Sequence, residues 1–558
     1  MKFSSHWLTH FEKSGFVSSP RYAESLKYFK QFEKKTLFAK MFSIGTSPQG
    51  RSIECLVVAN RREFTPEKAK KSGKAIVLIQ NGIHAGEIEG KDASMILLRD
   101  ILVTKEKFHL LDNLIFLIIP ILSVDGHERV SKFNRPNQNG PQEMGWRTNS
   151  WNLNLNRDYI KADTPEIRAF LRLFNSWLPD FFIDNHTTNG ADYQYHVTYA
   201  LEKFANIDSG LSIWGSEQLL PSVLNEVEKR GFLTAPYIEM KGETLEEGII
   251  DTVLPPRLST GYTSVQNRLG LLVETHSLKP YENRVRSTYA MNVSTLEFLN
   301  SNHRSLKYLN QKADKTSQKL KSLPVKFELS EKSKIFQFKG FKSVAHQSNI
   351  TGNDIIHYTD DQLEFEIPFF NDVQIVKTIV TPKAYLIPKE FGYLLEILKL
   401  HGIESKKMNS PMAVLVEEYT FTNSVFAPKP YEGRLCVEVQ CASSKRKIKA
   451  QAGSFIIETN QRTRRAIVNL LEPEAPDSFV SWGFFNAFFE RKEYAEPYVM
   501  EPIARQMLET DEALQIEFSG KLEDEEFKND PKARLDFFYQ RSPFFDINEK
   551  KYPILRVL

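Results

Sequence analysis

The chain has only three cysteines in 558 residues, Cys55, Cys436 and Cys441, too few and odd in number for a disulfide framework. Unlinked buried thiols are expected at Cys436 and Cys441 rather than a bridge between them. No apolar run approaches the roughly 18 residues of a membrane-spanning helix, so no membrane span is expected. Charge of one sign is also missing. The 73 Lys and Arg against 70 Asp and Glu leave a formal +3, which gives no case for a nucleic-acid or membrane-surface partner. The opening stretch Met1-Lys2-Phe3-Ser4-Ser5-His6-Trp7 lacks the apolar core of a signal peptide. Two compartments stay open: the cytoplasm, or the processed form of an exported protein. No repeat period and no low-complexity segment stands out.

What is present is ordinary for a globular protein, with 41% apolar and 26% charged residues. The length exceeds what one core normally serves, so two or more domains are expected. The 40 Phe, many in the last third, argue for well-filled cores.

Short apolar runs alternate with longer amphipathic ones from about residue 20 to 315. Strands are expected at 53–58, 75–79, 114–122, 180–184 and 270–274, and helices at 87–102, 165–177, 215–230 and 284–309. The pattern predicts an α/β fold with a mixed sheet covered by helices. Residues 1–20 form an N-terminal segment, 20–315 the first domain, and the polar, Lys-rich stretch 310–323 the boundary. Beyond it, short alternating runs at 334–338, 363–367 and 434–439 predict a strand-rich mixed second domain over 324–558, with helices at 389–400, 463–471 and 501–509.

His84 and Glu87, in Asn81-Gly82-Ile83-His84-Ala85-Gly86-Glu87, follow the apolar run Ala75-Ile76-Val77-Leu78-Ile79 and precede an amphipathic segment. They sit where a strand gives way to a helix, the usual place for chemistry in an α/β sheet. An imidazole and a carboxylate at this spacing can reach one metal ion. The spacing alone is weak, because roughly one His-x-x-Glu arises by chance in such a composition. A second, His401-Gly402-Ile403-Glu404, ends an amphipathic segment and reads as surface.

A catalytic zinc site needs a third protein ligand. Pro179-Asp180-Phe181-Phe182-Ile183-Asp184-Asn185-His186 ends an apolar strand with His186, which fits; taken alone, such a His is more often a hydrogen-bonded strand-end residue than a ligand. Asn185-His186-Thr187 also matches a glycosylation acceptor, a match taken as accidental. Gly270-Leu271-Leu272-Val273-Glu274-Thr275-His276 places a rigid, desolvated carboxylate, Glu274, where it can serve as general base. His276 is a rival ligand or merely flanks the site. Asn156 and Arg157, in Trp151-Asn152-Leu153-Asn154-Leu155-Asn156-Arg157, suit recognition of a carboxylate. Arg147, in Gly145-Trp146-Arg147, suits an oxyanion.

The order His-x-x-Glu, Arg, Asn-Arg, His, Glu resembles that of the carboxypeptidase A-like zinc metallocarboxypeptidases, the funnelins, over roughly residues 20 to 310. The resemblance implies His84, Glu87 and His186 as ligands of one Zn2+ per chain, and Glu274 as general base. It implies Asn156 and Arg157 as the grip on the substrate carboxylate and Arg147 as the group polarising the scissile carbonyl, with Arg135 as its rival. The family's Asp two residues before the Asn-Arg pair is Asn154 here, which is neutral. Tyr262 is the one candidate for the mobile substrate-binding Tyr of the digestive branch. Arg257 lies where such enzymes build pocket walls, although a surface loop Arg is the preferred reading. The implied activity is a zinc metallocarboxypeptidase acting on a peptide or small acyl-amino acid with a free carboxylate. The rivals are a zinc amidase or deacylase on acyl-amino acids or cell-wall peptides, and a non-catalytic binding module of the same fold.

Overall fold

The computed structural model describes residues 4–188 and 190–558. Its centre is an eight-stranded sheet built from β1 (Ala39–Thr46), β2 (Ser52–Val58), β3 (Ala75–Asn81), β4 (Leu114–Ile119), β5 (Phe181–Thr188), β6 (Val197–Leu201), β7 (Thr234–Pro236) and β8 (Leu269–His276). The spatial order is β1-β2-β4-β3-β5-β8-β6-β7. The four inner strands β4, β3, β5 and β8 are mutually parallel. Every residue of these four is buried, which explains why they read as continuous apolar runs rather than alternating ones. The antiparallel pairs lie toward the edges.

From β3 the chain crosses to β4 on one side and later returns to β5 on the other, through helices α1 (Glu89–Leu102) and α2 (Pro165–Trp177). That change of direction makes the carboxyl ends of β3 and β5 a topological switch point, the place where open α/β sheets bind ligands. β5 and β8 run further than expected from the sequence, so His186 lies inside its strand rather than past its end, and Glu274 inside its strand rather than at its last residue.

The expected boundary at 310–323 is largely helical. Helix α3 (Tyr281–Ser317) continues through the Lys-rich stretch, because Leu306, Asn310, Ala313 and Ser317 are buried at helical spacing while the lysines face outward. The region beyond is strand-rich, as expected. A hairpin of β9 (Lys334–Gln347) and β10 (Asp354–Phe370) extends from the edge segments Ile249–Ile250 and Glu239–Met240. A six-stranded sheet holds the long ribbon of β11 (Met412–Phe426) and β12 (Val437–Ala450). The strand expected at 434–439 begins only at Val437; its first residues belong to the turn. One apolar cluster spans both regions, joining Phe170, Phe174 and Tyr262 to Tyr385, Leu398, Ile467 in helix α4 (Arg464–Leu471), and Phe479. The three thiols are unlinked; Cys55 is buried and the other two are half-buried.

Candidate metal centre

The loop between β3 and α1 carries His84 and Glu87 and is pressed tightly against the sheet. A Cβ on Gly90 would lie 2.3 Å from Asn81 Oδ1 and 2.5 Å from Asn185 Cβ, so only glycine lets the first turn of α1 approach β3 and β5. Asn81 Nδ2 donates to Ile119 O at 3.0 Å, and Asn185 Nδ2 donates to Asn81 Oδ1 at 2.9 Å, lacing the strand ends together. Asn185 is therefore buried and engaged, which removes it as a glycan acceptor.

His84, Glu87 and His186 each turn a ligand atom inward, and these atoms lie within 4.8 Å of one another. His84 Nε2 donates to Asn154 Oδ1 at 2.9 Å. That oxygen also accepts from the Asn156 backbone N–H at 3.0 Å, which fixes it as the acceptor. His186 Nε2 donates to Asp184 Oδ2 at 2.8 Å. Both rings thus have Nε2 occupied and present Nδ1, at 3.1 and 2.9 Å from Glu87 Oε2. Burial lowers the His84 pKa to about 4, keeping the ring in its neutral, ligating form. Burial works against the Glu87 carboxylate, yet His84, Arg135 and His186 hold its pKa well below the usual range. Burial would also discharge His186, but Asp184 and Glu87 raise its pKa well above the ordinary value. Two imidazole nitrogens and a carboxylate, buried and oriented by outer acceptors, suit an ion of the zinc class.

Glu274 is the register partner of His186 on the adjacent strand. Its Oε2 is buried with no hydrogen-bond partner among the described residues. Burial raises its pKa to about 8, with Glu87 and Asp184 adding to the effect and His186 and Arg147 opposing it. A desolvated carboxylate with a free oxygen beside the ligands is what a general base requires.

Both candidate arginines reach the centre. Arg147 Nη1 donates to Glu87 Oε1 at 3.2 Å, and Arg135 Nη2 lies 3.0 Å from the same oxygen. They differ in surroundings: the Arg147 side chain is 41% exposed, whereas that of Arg135 is buried and bonded through Nε to Gln138. Asn156 Oδ1 accepts from Ser259 N at 2.9 Å, and Arg157 Nη1 donates to Asn156 O at 2.7 Å.

Other expectations need correction. Tyr262 is fully buried in the apolar core, its hydroxyl bonded to Gln266 Nε2 and within 3.2 Å of His401 Nδ1, so it is placed to pack rather than to meet substrate. His401 is not on the surface; it is fully buried between Tyr262 and the Ile160 carbonyl, the outcome of the two regions sharing a core. Arg257 donates to the buried Asp477 at 2.9 Å and ties the two regions together, so it borders the cavity it shares with Val325 and Phe327 as a paired rather than a free cation. His276 stacks on Tyr193 at 3.9 Å and bonds to Asp192 at 3.0 Å, flanking the cluster without joining it.

Two residues near the centre escaped the sequence reading. Asp184 lies two positions before His186 on the same strand face, a spacing that could have revealed it. Tyr237 bonds to Thr188, and burial and the Glu274 charge together raise its pKa, so the phenol stays neutral. No local pattern marks it.

Residues 26–190 match the family model for zinc carboxypeptidase, peptidase M14. The chain is 25% identical over 442 residues to "Carboxypeptidase 2" of Trichophyton rubrum, covering 74% of each chain. It is 26% identical over 467 residues to the protein of that name in Trichophyton equinum, covering 78% of each. A solved metallo-carboxypeptidase from Burkholderia cenocepacia aligns over 50% of this chain and 70% of its own, at 18% identity and a TM-score of 0.38. Residues 26–190 of this enzyme thus match the M14 zinc carboxypeptidase family, and its two Trichophyton relatives carry the name carboxypeptidase.

Proposed function

We propose that this enzyme removes the C-terminal residue from a peptide bearing a free terminal carboxylate. The observation that carries the reading is the unpartnered Oε2 of Glu274, set beside three converging buried ligand atoms on the neighbouring strand and loop. His84 Nδ1, Glu87 and His186 Nδ1 would hold one zinc ion per chain. When bound, that ion supplies a Lewis acid for the water and the scissile carbonyl.

The chain's own residues do the rest. Glu274 Oε2 takes a proton from the attacking water and delivers it to the leaving amine nitrogen. Arg147, partly exposed and able to swing from Glu87, receives the developing oxyanion. Asn156 and Arg157 bind the terminal carboxylate and so set which bond is presented. Tyr237, whose phenol burial and Glu274 keep neutral, is a candidate for substrate contact in place of the core-buried Tyr262.

The reading is tested with a matched pair of peptides, one with a free C-terminus and one amidated. The free peptide should be cut far better, since an unpaired guanidinium gains nothing from an amide. Arg157→Ala should damage only the free substrate. Equal cleavage of the pair by the wild type would reject the reading in favour of an internal or acyl-directed amidase.

A further inference from the structure

The turn joining β11 and β12 reaches back onto the carboxylate-binding segment. Tyr431 OH accepts from Arg157 Nε at 3.0 Å, and Glu432 Oε2 accepts from the Asn154 backbone N–H at 2.8 Å. Asn154 is the residue whose side chain accepts from His84 Nε2. The turn therefore stands one hydrogen bond from the proposed substrate grip and two from a metal ligand.

The turn is fastened on every side. Arg434 makes paired bonds to Asp163 at 2.7 and 2.6 Å, and its guanidinium lies 3.8 Å from the Phe484 ring centre. Tyr431 stacks on the buried Trp482 at 5.9 Å and 14°. Glu432 holds a left-handed backbone, φ 48°, which costs free energy for a residue with a side chain and is held here by the surrounding bonds. With Nε on Tyr431 and Nη1 on Asn156 O, the guanidinium plane of Arg157 is set, leaving Nη2 as the nitrogen on which a carboxylate can land.

We infer that Tyr431 and Glu432 are positioning residues for carboxylate recognition, so that the strand-rich region is a working part of the substrate site. The inference rests on the proposed role of Arg157. Tyr431 orients the Arg157 fork; Glu432 fixes the Asn154–Arg157 segment that carries it. The preorganised fork binds a carboxylate without first losing rotamer freedom.

The test uses the full chain and two readouts. One is cleavage of the free and amidated peptides by the zinc-loaded enzyme. The other is calorimetric binding of N-acetylphenylalanine against its amide. Tyr431→Phe keeps the ring stack and removes only the hydroxyl. It should raise KM for the free peptide and weaken binding of the acid by about tenfold, the size of one hydrogen bond to a charged group. kcat, zinc content and amide binding should be unchanged. Glu432→Ala should act in the same direction, and Glu432→Gln, which retains an acceptor, should restore most of the loss. If the wild type fails to prefer the acid, the Arg157 reading falls and this inference with it. If Arg157→Ala abolishes the preference but Tyr431→Phe matches the wild type, this inference alone is overturned. Equal loss on both substrates with a lower Tm would mean a merely structural turn, and would also overturn it.

Discussion

Glu274 and His186 are register partners on neighbouring parallel strands, so the proposed base and one proposed metal ligand occupy the same level of the sheet. Strand pairing, not a flexible loop, sets their separation. His84 and Glu87 arrive from the adjacent β3 by a loop that Gly90 allows to close on β5. Three neighbouring strands thus fix the whole centre, and the side chains that orient it, Asp184 and Asn154, are themselves buried.

Metal content follows from this geometry. The purified protein should bind about one zinc per chain. His84→Ala, Glu87→Ala and His186→Ala should each lose it, measured by elemental analysis after dialysis against a weak chelator. His276→Ala should retain it. His401→Ala should also retain zinc but lower stability by about 1–3 kcal/mol, because it strips a buried partner from Tyr262 and the Ile160 carbonyl.

Asn154 offers a graded test of ligand tuning. Its Oδ1 is the acceptor that holds His84 in the Nδ1-ligating tautomer. Asn154→Ala should weaken zinc binding by roughly 10- to 100-fold. Asn154→Asp should bind zinc more tightly than the wild type, since a carboxylate makes the imidazole a better donor. Competition with a chromophoric chelator reads both.

Arg135 and Arg147 share Glu87 Oε1 but should fail differently. Arg147 is partly exposed, so Arg147→Ala should leave fold and zinc intact and lower kcat by roughly 10² to 10³, as loss of an oxyanion donor does. Arg135 is buried against Glu87, so Arg135→Ala should reduce zinc affinity and thermal stability first. The reverse pattern would exchange their roles.

Much of this was legible in the chain. That His84, Glu87, His186 and Glu274 would come together was legible because buried parallel strands announce themselves as unbroken apolar runs, and their carboxyl ends lie side by side. Tyr262 and His401 were misread for one reason. Both lie in the core that the two regions share, and a contact between residues 139 positions apart leaves no local pattern. Tyr431 and Glu432 were invisible on the same ground, since a ribbon turn announces its bend but not its destination. Tyr237, half-buried beside β6, has no periodicity to betray it.

Stability should depend on pH through Glu202, remote from the proposed ligands in sequence. It is buried and accepts from Asn206 Nδ2 at 2.6 Å and Leu254 N at 2.9 Å. Burial raises its pKa to about 8 from an ordinary 4.5. The folded state therefore favours the neutral acid. Its contribution is most favourable below about pH 4.5 and is lost as pH rises through about 8, on the order of a few kcal/mol in all. Glu202→Gln cannot ionise. Its Tm should fall less than that of the wild type between pH 5 and 9, and parallel curves would refute the assignment.

The most direct measurement is peptide cleavage by Glu274→Gln with zinc content verified in the same sample. The substitution keeps shape and metal ligands and removes only the proton acceptor at Oε2. Zinc and fold should be retained while kcat falls by roughly 10²-fold or more. Near-normal turnover by the zinc-loaded variant would contradict a mechanism in which Glu274 moves the proton.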